Sequence, residues 1–530
     1  MPENEADTLD RHHRLVRGLA RPDAWPRPFA GAAEVIETHL SSVLLAGDWA
    51  LKLKKPLALD FVDFSTRARR QHFCAEELRL NRRTAARWYV DVLPVLGPIE
   101  APRLGRADDA DDAAAAVDWA LRMRRFDRDA AFDRLAAAGR LGEAQVDALA
   151  GAVAAFHAAL PASAAAWGDP RDVRRVVLDN LASLATLGVE PQAVGALRDW
   201  SVEAHAAIAP RLQRRRARGR VREGHGDLHL GNIAWLDGAP LLFDALEFDP
   251  RLRHVDTMSD AAFTFMDLLD HGLPALGWRF LSAYLERGGD HDALPTVRAF
   301  AVHRALVRAK VAAIRARQPD AGAAERAVAT SAARRRIALA TALAHPAAPR
   351  LVLTTGVSGS GKSTVAQLLV HALGAVCVRS DVERKRLHGL VPTDRVDPAR
   401  LYHARATERT YARLAEIARL ALEGGIAVVV DAAFLRRDER DAMRTLAAAC
   451  GARCITVECT APDAVLRHRL ARRAAQGSDA SDATAPVLAL QQRVREPPAA
   501  DEAAVVLDTD VDLPALAARV QALVAGWPAR

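Results

Sequence analysis

The nine residues Gly356-Val357-Ser358-Gly359-Ser360-Gly361-Lys362-Ser363-Thr364 constrain this chain more than any other feature. They fit G-x-x-x-x-G-K-[ST], directly after the apolar run Leu351–Thr355 and before a helical pattern. That strand–loop–helix context turns a glycine-rich loop into a phosphate cradle. The glycines let successive backbone N–H groups face phosphate oxygens, and the helix N-terminus adds a favourable dipole. Lys362 is placed to reach the β- and γ-phosphates, and the Ser363 hydroxyl to ligate Mg²⁺. The whole stretch, Gly356, Ser358, Gly359, Ser360, Gly361, Lys362, Ser363 and Thr364, is therefore the predicted nucleotide cradle.

The residues around the loop alternate between short apolar runs and helical stretches. Strands are predicted at 351–355, 375–379, 426–431, 454–458 and 505–508, with helices between them. This is the pattern of an α/β domain with a parallel sheet covered on both faces. Ala344–Arg350, with two prolines after the helical stretch Ala323–Leu343, reads as a linker. It divides the 530 residues into a first domain, 1–345, and a second, 346–530. The polar stretch Gly477–Ala485 reads as a loop.

Other residues of the second domain point to phosphoryl transfer. Val428-Val429-Val430-Asp431 is an apolar strand ending in a carboxylate, the form of a Walker B aspartate that holds Mg²⁺. Asp381 follows the second strand, on the rim where open α/β sheets bind ligands, and is placed to orient or deprotonate an acceptor hydroxyl. The alternative role for Asp381 is a carboxylate at a helix N-terminus. Arg469 and Arg473 lie four apart on a predicted helix, so they share a face and suit a lid that clamps phosphate; a solvated face is the other reading. The blocks GVSGSGKST, VRSDVERKRL, VVVDAAFLRRDER and LRHRLARR resemble the small-molecule P-loop kinases of the gluconate, shikimate and adenylate kinase group. The likeness is strongest to the branch with zeta-toxin-like and polynucleotide-kinase-like ATPases. It implies ATP- and Mg²⁺-dependent phosphorylation of a hydroxyl.

The first domain opens with a predicted hairpin, Ser42–Leu45 and Trp49–Leu53 about Gly47-Asp48. A helix over Phe73–Ala86, strands at Val117–Phe126 and Leu241–Phe243, a helix from Glu143 to Leu160, and mostly helix from Ala261 onward follow. Strands first and helices later describe an α+β, two-lobed domain. His225-Gly226-Asp227-Leu228-His229-Leu230-Gly231-Asn232 is H-G-D-x-x-x-x-N. A kinase catalytic loop needs such an Asp near the acceptor hydroxyl and an Asn five residues on to hold Mg²⁺. Asp244, closing a short strand, suits a second metal-binding role. Lys52, in Ala50-Leu51-Lys52, suits the strand lysine that pairs with nucleotide phosphates, and Glu77 is its predicted helix partner, with Glu76 next to it. Lys54 and Lys55 are expected to be exposed or at the phosphate rim.

These blocks resemble the aminoglycoside phosphotransferase and choline kinase superfamily, with a protein-kinase-like fold. HGDLHLGNI and LLFDALEF carry the likeness, with ETHLSSVLLAGDWALKLKKPL and AEELRLNRR as looser matches. The chain as a whole resembles a bacterial fusion of the two parts. One departure is the loop before Lys52, where Thr38-His39-Leu40-Ser41-Ser42 stands in place of G-x-G-x-x-G. "Aminoglycoside" is a family label here: a polycation needs an acidic pocket. Of the five acidic candidates, Asp249, Asp256, Asp260, Asp267 and Asp270, two (Asp256 and Asp260) read as structural.

Composition narrows the remaining classes. A net charge of +7 is thin for a dedicated nucleic-acid binder, and 5% aromatic residues give few stacking platforms. The positive charge is carried by 67 arginines and only six lysines: Lys52, Lys54, Lys55, Lys310, Lys362 and Lys385. Arg211–Arg220 holds six arginines and reads as a solvated basic turn or an anion-attracting rim. Arg304, Arg308 and Lys310 on a late helix are placed to meet an anionic substrate or to buttress the fold. Five cysteines suit a reducing cytoplasm. Cys450, Cys454 and Cys459 lack a second ligand pair for zinc, and the glycines beside His225 and His229 argue for a loop rather than a metal helix. No apolar run is long enough to span a membrane.

The expectation is a cytoplasmic enzyme with two ATP- and Mg²⁺-dependent sites, acting on hydroxyl groups of small molecules. The alternatives for the second domain are a polynucleotide-end kinase and a toxin-like or regulatory ATP-binding module.

Overall fold

The computed structural model describes residues 5–25, 31–59, 62–164, 166–318, 321–394, 396, 401–476, 481 and 483–527. Most of the predicted loop 477–485 lies outside the described residues. The chain forms two compact units, one of residues 1–141, 159–168 and 219–260, the other of 142–158, 169–218 and 261–530. The helices Val297–Arg315 and Ala323–Ala344, which precede the linker at 344–350, thus belong with the parallel sheet that follows it.

The first unit is built on an antiparallel six-stranded sheet, with β1 (Glu34–Glu37), β2 (Ser41–Ala46) and β3 (Trp49–Lys54) at one side. After the short pair β4 (Ala58–Leu59) and β5 (Val62–Asp63) come β6 (Tyr89–Leu96), β7 (Arg103–Leu104) and β8 (Asp118–Arg124). The sheet order is β1-β2-β3-β8-β6-β7. Leu51 and Leu53 alternate with Lys52 and Lys54 along β3, so the leucines enter the core with Leu44, Val95 and Ala120. Both lysines then face the opposite side, toward the helix Arg67–Ala85. Thr66 caps that helix by accepting from the Arg69 N–H. β9 (Val221–Glu223), the hairpin β10 (Ile233–Leu236) and β11 (Ala239–Leu242), and β12 (His254–Asp256) complete the unit, with β9 and β12 paired.

The second unit holds a five-stranded parallel sheet: β13 (Arg350–Thr355), β14 (Ala375–Arg379), β15 (Ala427–Asp431), β16 (Arg453–Thr460) and β17 (Val505–Asp508). All five predicted strands are present. Their order, β14-β15-β13-β16-β17, puts the phosphate-loop strand at the centre. Val352, Val429 and Val457 pack beneath Val365 and Leu369 of the helix Lys362–Leu373. The outer edge of β14 is covered by the helix Pro274–Gly288, whose Ser282 hydroxyl accepts the Cys377 N–H at 3.1 Å.

The basic run Arg211–Arg220 corrects the reading of a solvated turn or anion-attracting rim. Arg215 is fully buried and forms a two-pronged pair with Asp290 at 2.7 and 2.8 Å. Arg211 pairs with Asp292 at 2.7 Å and Arg216 with Asp169 at 3.3 Å. These arginines hold helices together. No helix among the described residues is long and apolar enough to cross a membrane, and all five cysteines are unbridged.

Candidate functional site

In the first unit, five charged side chains form one alternating chain. Lys52 Nζ donates to Glu77 Oε1 at 2.8 Å and to Asp244 Oδ1 at 2.6 Å. Lys54 Nζ donates to the other Glu77 oxygen, Oε2, at 2.8 Å and also to Glu247. Period-two geometry puts both lysines on one face of β3, so one carboxylate on the facing helix bridges them. Lys54 is 1% exposed and Glu77 fully buried, which corrects the expectation of an exposed Lys54. Lys55 also turns inward as a loop anchor, its Nζ donating to the Thr38 carbonyl at 2.7 Å and pairing with Glu37 at 2.7 Å. Glu76 faces elsewhere, toward Arg79 and Arg253.

Burial opposes charge at four members of this chain, and the opposite charges outweigh it at three. Burial pushes the Glu77 carboxyl up, but Lys52 and Lys54 hold it at about 2. Burial pulls Lys52 down, yet Asp244 and Glu77 raise it well above the ordinary lysine value. Lys54 is raised in the same way, against burial, by Glu247 and Glu77. At Glu247 burial wins over Lys54, and its carboxyl is raised.

The loop after β9 carries the other predicted residues. Asn232 Nδ2 donates to the Asp227 carbonyl at 2.9 Å and to its carboxylate Oδ2 at 3.2 Å. His229 Nε2 lies 3.5 Å from the same oxygen. The Asp260 carboxylate accepts the backbone N–H groups of His225 (2.6 Å) and Gly226 (2.9 Å) and so fixes the loop's entry. This is the structural role expected of Asp260. The Phe243 N–H donates to the Asn232 carbonyl at 3.0 Å, which sets Asp244 beside the loop. Asp244 has φ +62, a left-handed conformation; its N–H donates to the Tyr89 hydroxyl at 3.1 Å. The Asn81 side chain accepts the next N–H, of Ala245, at 2.9 Å. The side chains of Asp227 and Asp244 remain 37% and 40% exposed, so both carboxylates are accessible.

In the second unit the loop from Gly356 to Gly361 joins β13 to the helix Lys362–Leu373. Gly359 has φ +86, and a Cβ there would come within 2.8 Å of the Leu466 carbonyl oxygen, so only glycine fits. Lys362 Nζ donates to the Val357 carbonyl at 2.8 Å, and the Ser358 N–H to Gln491 at 2.7 Å. The Ser360 hydroxyl is buried without a hydrogen-bond partner among the described residues. Asp431 closes β15 opposite Thr354 and lies 3.5 Å from its hydroxyl and 3.6 Å from Arg379 Nε. Burial lowers Lys362, with Asp431 pulling the other way. Asp381, in the first turn of the helix Ser380–Leu387, accepts from the Tyr402 hydroxyl at 3.2 Å. Ser363 and Thr364 begin the helix after Lys362.

Arg469 sits against the loop rather than out in a lid. It donates to the Gly359 carbonyl at 3.2 Å and to Thr509 Oγ1 and O at 2.9 and 2.7 Å. Arg473 donates to the Ala483 carbonyl at 3.4 Å. Thr509, Gln491 and Arg379 escape the sequence reading because each comes from a distant segment: a loop, the helix Ala485–Val494 and the end of β14. The i, i+2 spacing of Lys54 to Lys52 is a signal that could have placed it on the same strand face; no such local signal points to Glu247. Lys385 is buried and donates to the Pro392 and Asp394 carbonyls at 2.9 and 2.7 Å. Among the described residues no group of three or more His, Cys, Asp or Glu side chains is gathered as a metal cluster.

A central parallel strand, a glycine loop closed over a lysine and a neighbouring strand ending in aspartate define a P-loop nucleotide-binding domain. Residues 351–498 accordingly match the AAA domain family. The chain is also 33% identical, over 479 residues, to the uncharacterized protein Rv2004c of Mycobacterium tuberculosis, covering 89% of this chain and 92% of that one. An uncharacterized protein of Mycobacterium bovis matches equally. The chain belongs to the family of these mycobacterial proteins. Among solved structures, a gluconokinase from Sinorhizobium meliloti shares 22% identity, with 34% of this chain and 94% of that chain covered and a TM-score of 0.26. The Mycobacterium tuberculosis APS kinase in complex with AMPPNP and APS shares 22% identity, 34% and 100% coverage, and a TM-score of 0.27.

Proposed function

We propose that this protein is a cytoplasmic ATP-dependent phosphotransferase with two sites. One lies in an aminoglycoside phosphotransferase-like domain over residues 1–345, the other in a P-loop kinase domain over 346–530, each acting on a small-molecule hydroxyl. The observation that carries the reading is Lys52 joined to both Glu77 and Asp244. A lysine–glutamate–aspartate set beside an Asp–Asn loop is what phosphoryl transfer on a protein-kinase-like frame needs.

The residues fit Mg²⁺ on chemical grounds. Asp244 and Asn232 in one site, and Asp431 and Ser363 in the other, offer the hard oxygen ligands this ion takes. Bound there, the ion would offset the charge of the phosphates. Lys52 and Lys362 orient the phosphates. Asp227 takes the acceptor's proton in the first site, with Asn232 and His229 beside its carboxylate. Asp381 orients the acceptor in the second, and Arg469 holds the loop's shape at Gly359.

The test is a phosphorylation screen of a metabolite extract by mass spectrometry, comparing the full chain with its Asp227→Ala and Lys362→Ala variants. Each variant is expected to lose its own set of phosphorylated products. ATP turnover untouched by both changes across a broad acceptor panel would sink the proposal.

A further inference from the structure

We propose that Tyr89 and Asn81 are positioning residues for Asp244 of the first site, holding its backbone in the conformation that keeps its carboxylate beside Lys52. The inference rests on the reading of Asp244 as a Mg²⁺-holding carboxylate and goes beyond it to the residues that set its geometry. Tyr89 opens β6, and Asn81 lies on the helix Arg67–Ala85, one turn beyond Glu77.

Asp244 is a non-glycine residue at φ +62, and such a conformation persists only where its surroundings enforce it. Here each residue from Leu242 to Leu246 has a backbone group held. The Leu242 carbonyl accepts from Thr84 Oγ1 at 2.8 Å, and the Phe243 carbonyl from His225 Nε2 at 2.9 Å. The Leu246 N–H donates to the His225 carbonyl at 3.0 Å. Those contacts fix the flanks of the turn. The two N–H groups at its centre go to side chains from other elements. That of Asp244 donates to the Tyr89 hydroxyl at 3.1 Å, and that of Ala245 to Asn81 Oδ1 at 2.9 Å.

Asn81 also reaches the other carboxylate of the site. Its Nδ2 donates to the Glu77 carbonyl at 2.9 Å, and the residue is fully buried. One side chain thus joins the helical turn that carries Glu77 to the turn that carries Asp244, the two residues whose carboxylates Lys52 meets at 2.8 and 2.6 Å. Tyr89 is buried too. Burial, with Asp244 and Glu77, raises its phenol well above the ordinary tyrosine value against the pull of Lys52. The hydroxyl is therefore a neutral acceptor and sets no further anion beside Asp244. A nucleotide's phosphates compete for the Lys52 ammonium. As that hold on the Asp244 carboxylate weakens, its place depends on a backbone whose own preference is for negative φ. Tyr89 and Asn81 supply the restraint.

The experiment uses the full chain carrying Lys362→Ala and measures binding of the non-hydrolysable nucleotide AMPPNP, reading the component that Lys52→Ala abolishes. Affinity is recorded in EDTA and across a Mg²⁺ titration. Hydrogen exchange of the segment 242–247 is measured alongside, without nucleotide. Tyr89→Phe removes only the hydroxyl. It is expected to raise the half-saturating Mg²⁺ and the exchange of the segment about fivefold each, the net worth of one hydrogen bond, with affinity in EDTA within about twofold. Asn81→Ala, which also loosens the turn of Glu77, is expected to raise both further and to weaken binding in EDTA as well. Thr84→Val removes a hydrogen bond from the flank of the same turn and is expected to leave the Mg²⁺ requirement unchanged. An unchanged Mg²⁺ requirement in Tyr89→Phe overturns the inference, whether or not exchange rises. So does an equal rise in Thr84→Val, which would make the effect a general loosening of the turn. If Asp244→Asn leaves the Mg²⁺ requirement unchanged, the reading of Asp244 fails, and the inference fails with it. The absence of any binding component that depends on Lys52 refutes the nucleotide site itself, and the inference with it.

Discussion

Replacing Lys54 by Met tests whether the charge chain of the first unit acts as one object. The Met side chain keeps most of the volume and removes the ammonium. At 2.8 Å from Glu77 the lost attraction is about 6 kcal/mol before desolvation, for an effective dielectric near 20. Glu77 retains Lys52, but Glu247 loses its hydrogen-bonded cation while staying buried. Removing one partner of a buried pair costs about 3–5 kcal/mol, because the other charge is left behind. The cost depends on pH. Burial already raises the Glu247 carboxyl against the pull of Lys54, and without Lys54 it rises further. A carboxyl whose folded value lies above its unfolded value contributes stability at low pH and loses it as pH rises. The variant's penalty should therefore grow as pH rises above the ordinary glutamate range, on top of the lost Lys54–Glu77 attraction, which persists at pH 5 because Glu77 stays ionised. Hydrogen exchange of the helix Arg67–Ala85, corrected for intrinsic rates, reads this locally. Protection at pH 8 is expected to fall roughly 10²–10⁴-fold, at 1.36 kcal/mol per decade. Adding Glu247→Gln should restore the pH-dependent part of it. Equal losses at pH 5 and pH 8, or no recovery in the double variant, would refute the reasoning.

Asp227→Asn should cut turnover at the first site by about 10²–10⁴-fold, as expected for loss of a general base, with the melting temperature little changed because the side chain is 37% exposed. Gly359→Ala should abolish nucleotide binding at the P-loop site, since the new Cβ meets the Leu466 carbonyl oxygen at 2.8 Å; titration with labelled nucleotide reads this. Arg440→Met should destabilise the second unit by about 3–5 kcal/mol in denaturant unfolding, because it strands Glu502 from its two-pronged pair at 2.6 and 2.9 Å. Wild-type protection in the helix Arg67–Ala85 should fade on acidification. The depressed Glu77 value of about 2 means that its contribution is full above the ordinary glutamate range and is lost as pH falls through that range toward 2.

Much of the second unit was readable because its signals are local. The strands 375–379 and 505–508 appear with the bounds expected, and the phosphate loop occupies its predicted strand–helix junction. Lys52 and Glu77 were also legible, one from its place in a hairpin and the other from a helical stretch. Arg215 and Lys54 were misread for one reason. Both look solvated in a linear charge pattern, and both are buried because a distant carboxylate, Asp290 or Glu247, compensates them. Arg469 shares its helix face with Arg473 as expected, yet its donors meet Gly359 and Thr509, partners contributed by other segments.

The sequence by itself determined where phosphate can sit, since a glycine loop, a lysine and a helix start are contiguous and their backbone chemistry is local. It also determined the alternation that puts Lys52 and Lys54 on one face of a strand. Only the tertiary structure decided that Lys54 shares Glu77 with Lys52 and meets Glu247, and which backbone N–H groups Asp260 holds. The physical reason is range. Backbone geometry follows from neighbours in the chain, whereas a buried charge is tolerable only where folding brings its counter-charge, and that partner can come from any distance along the sequence.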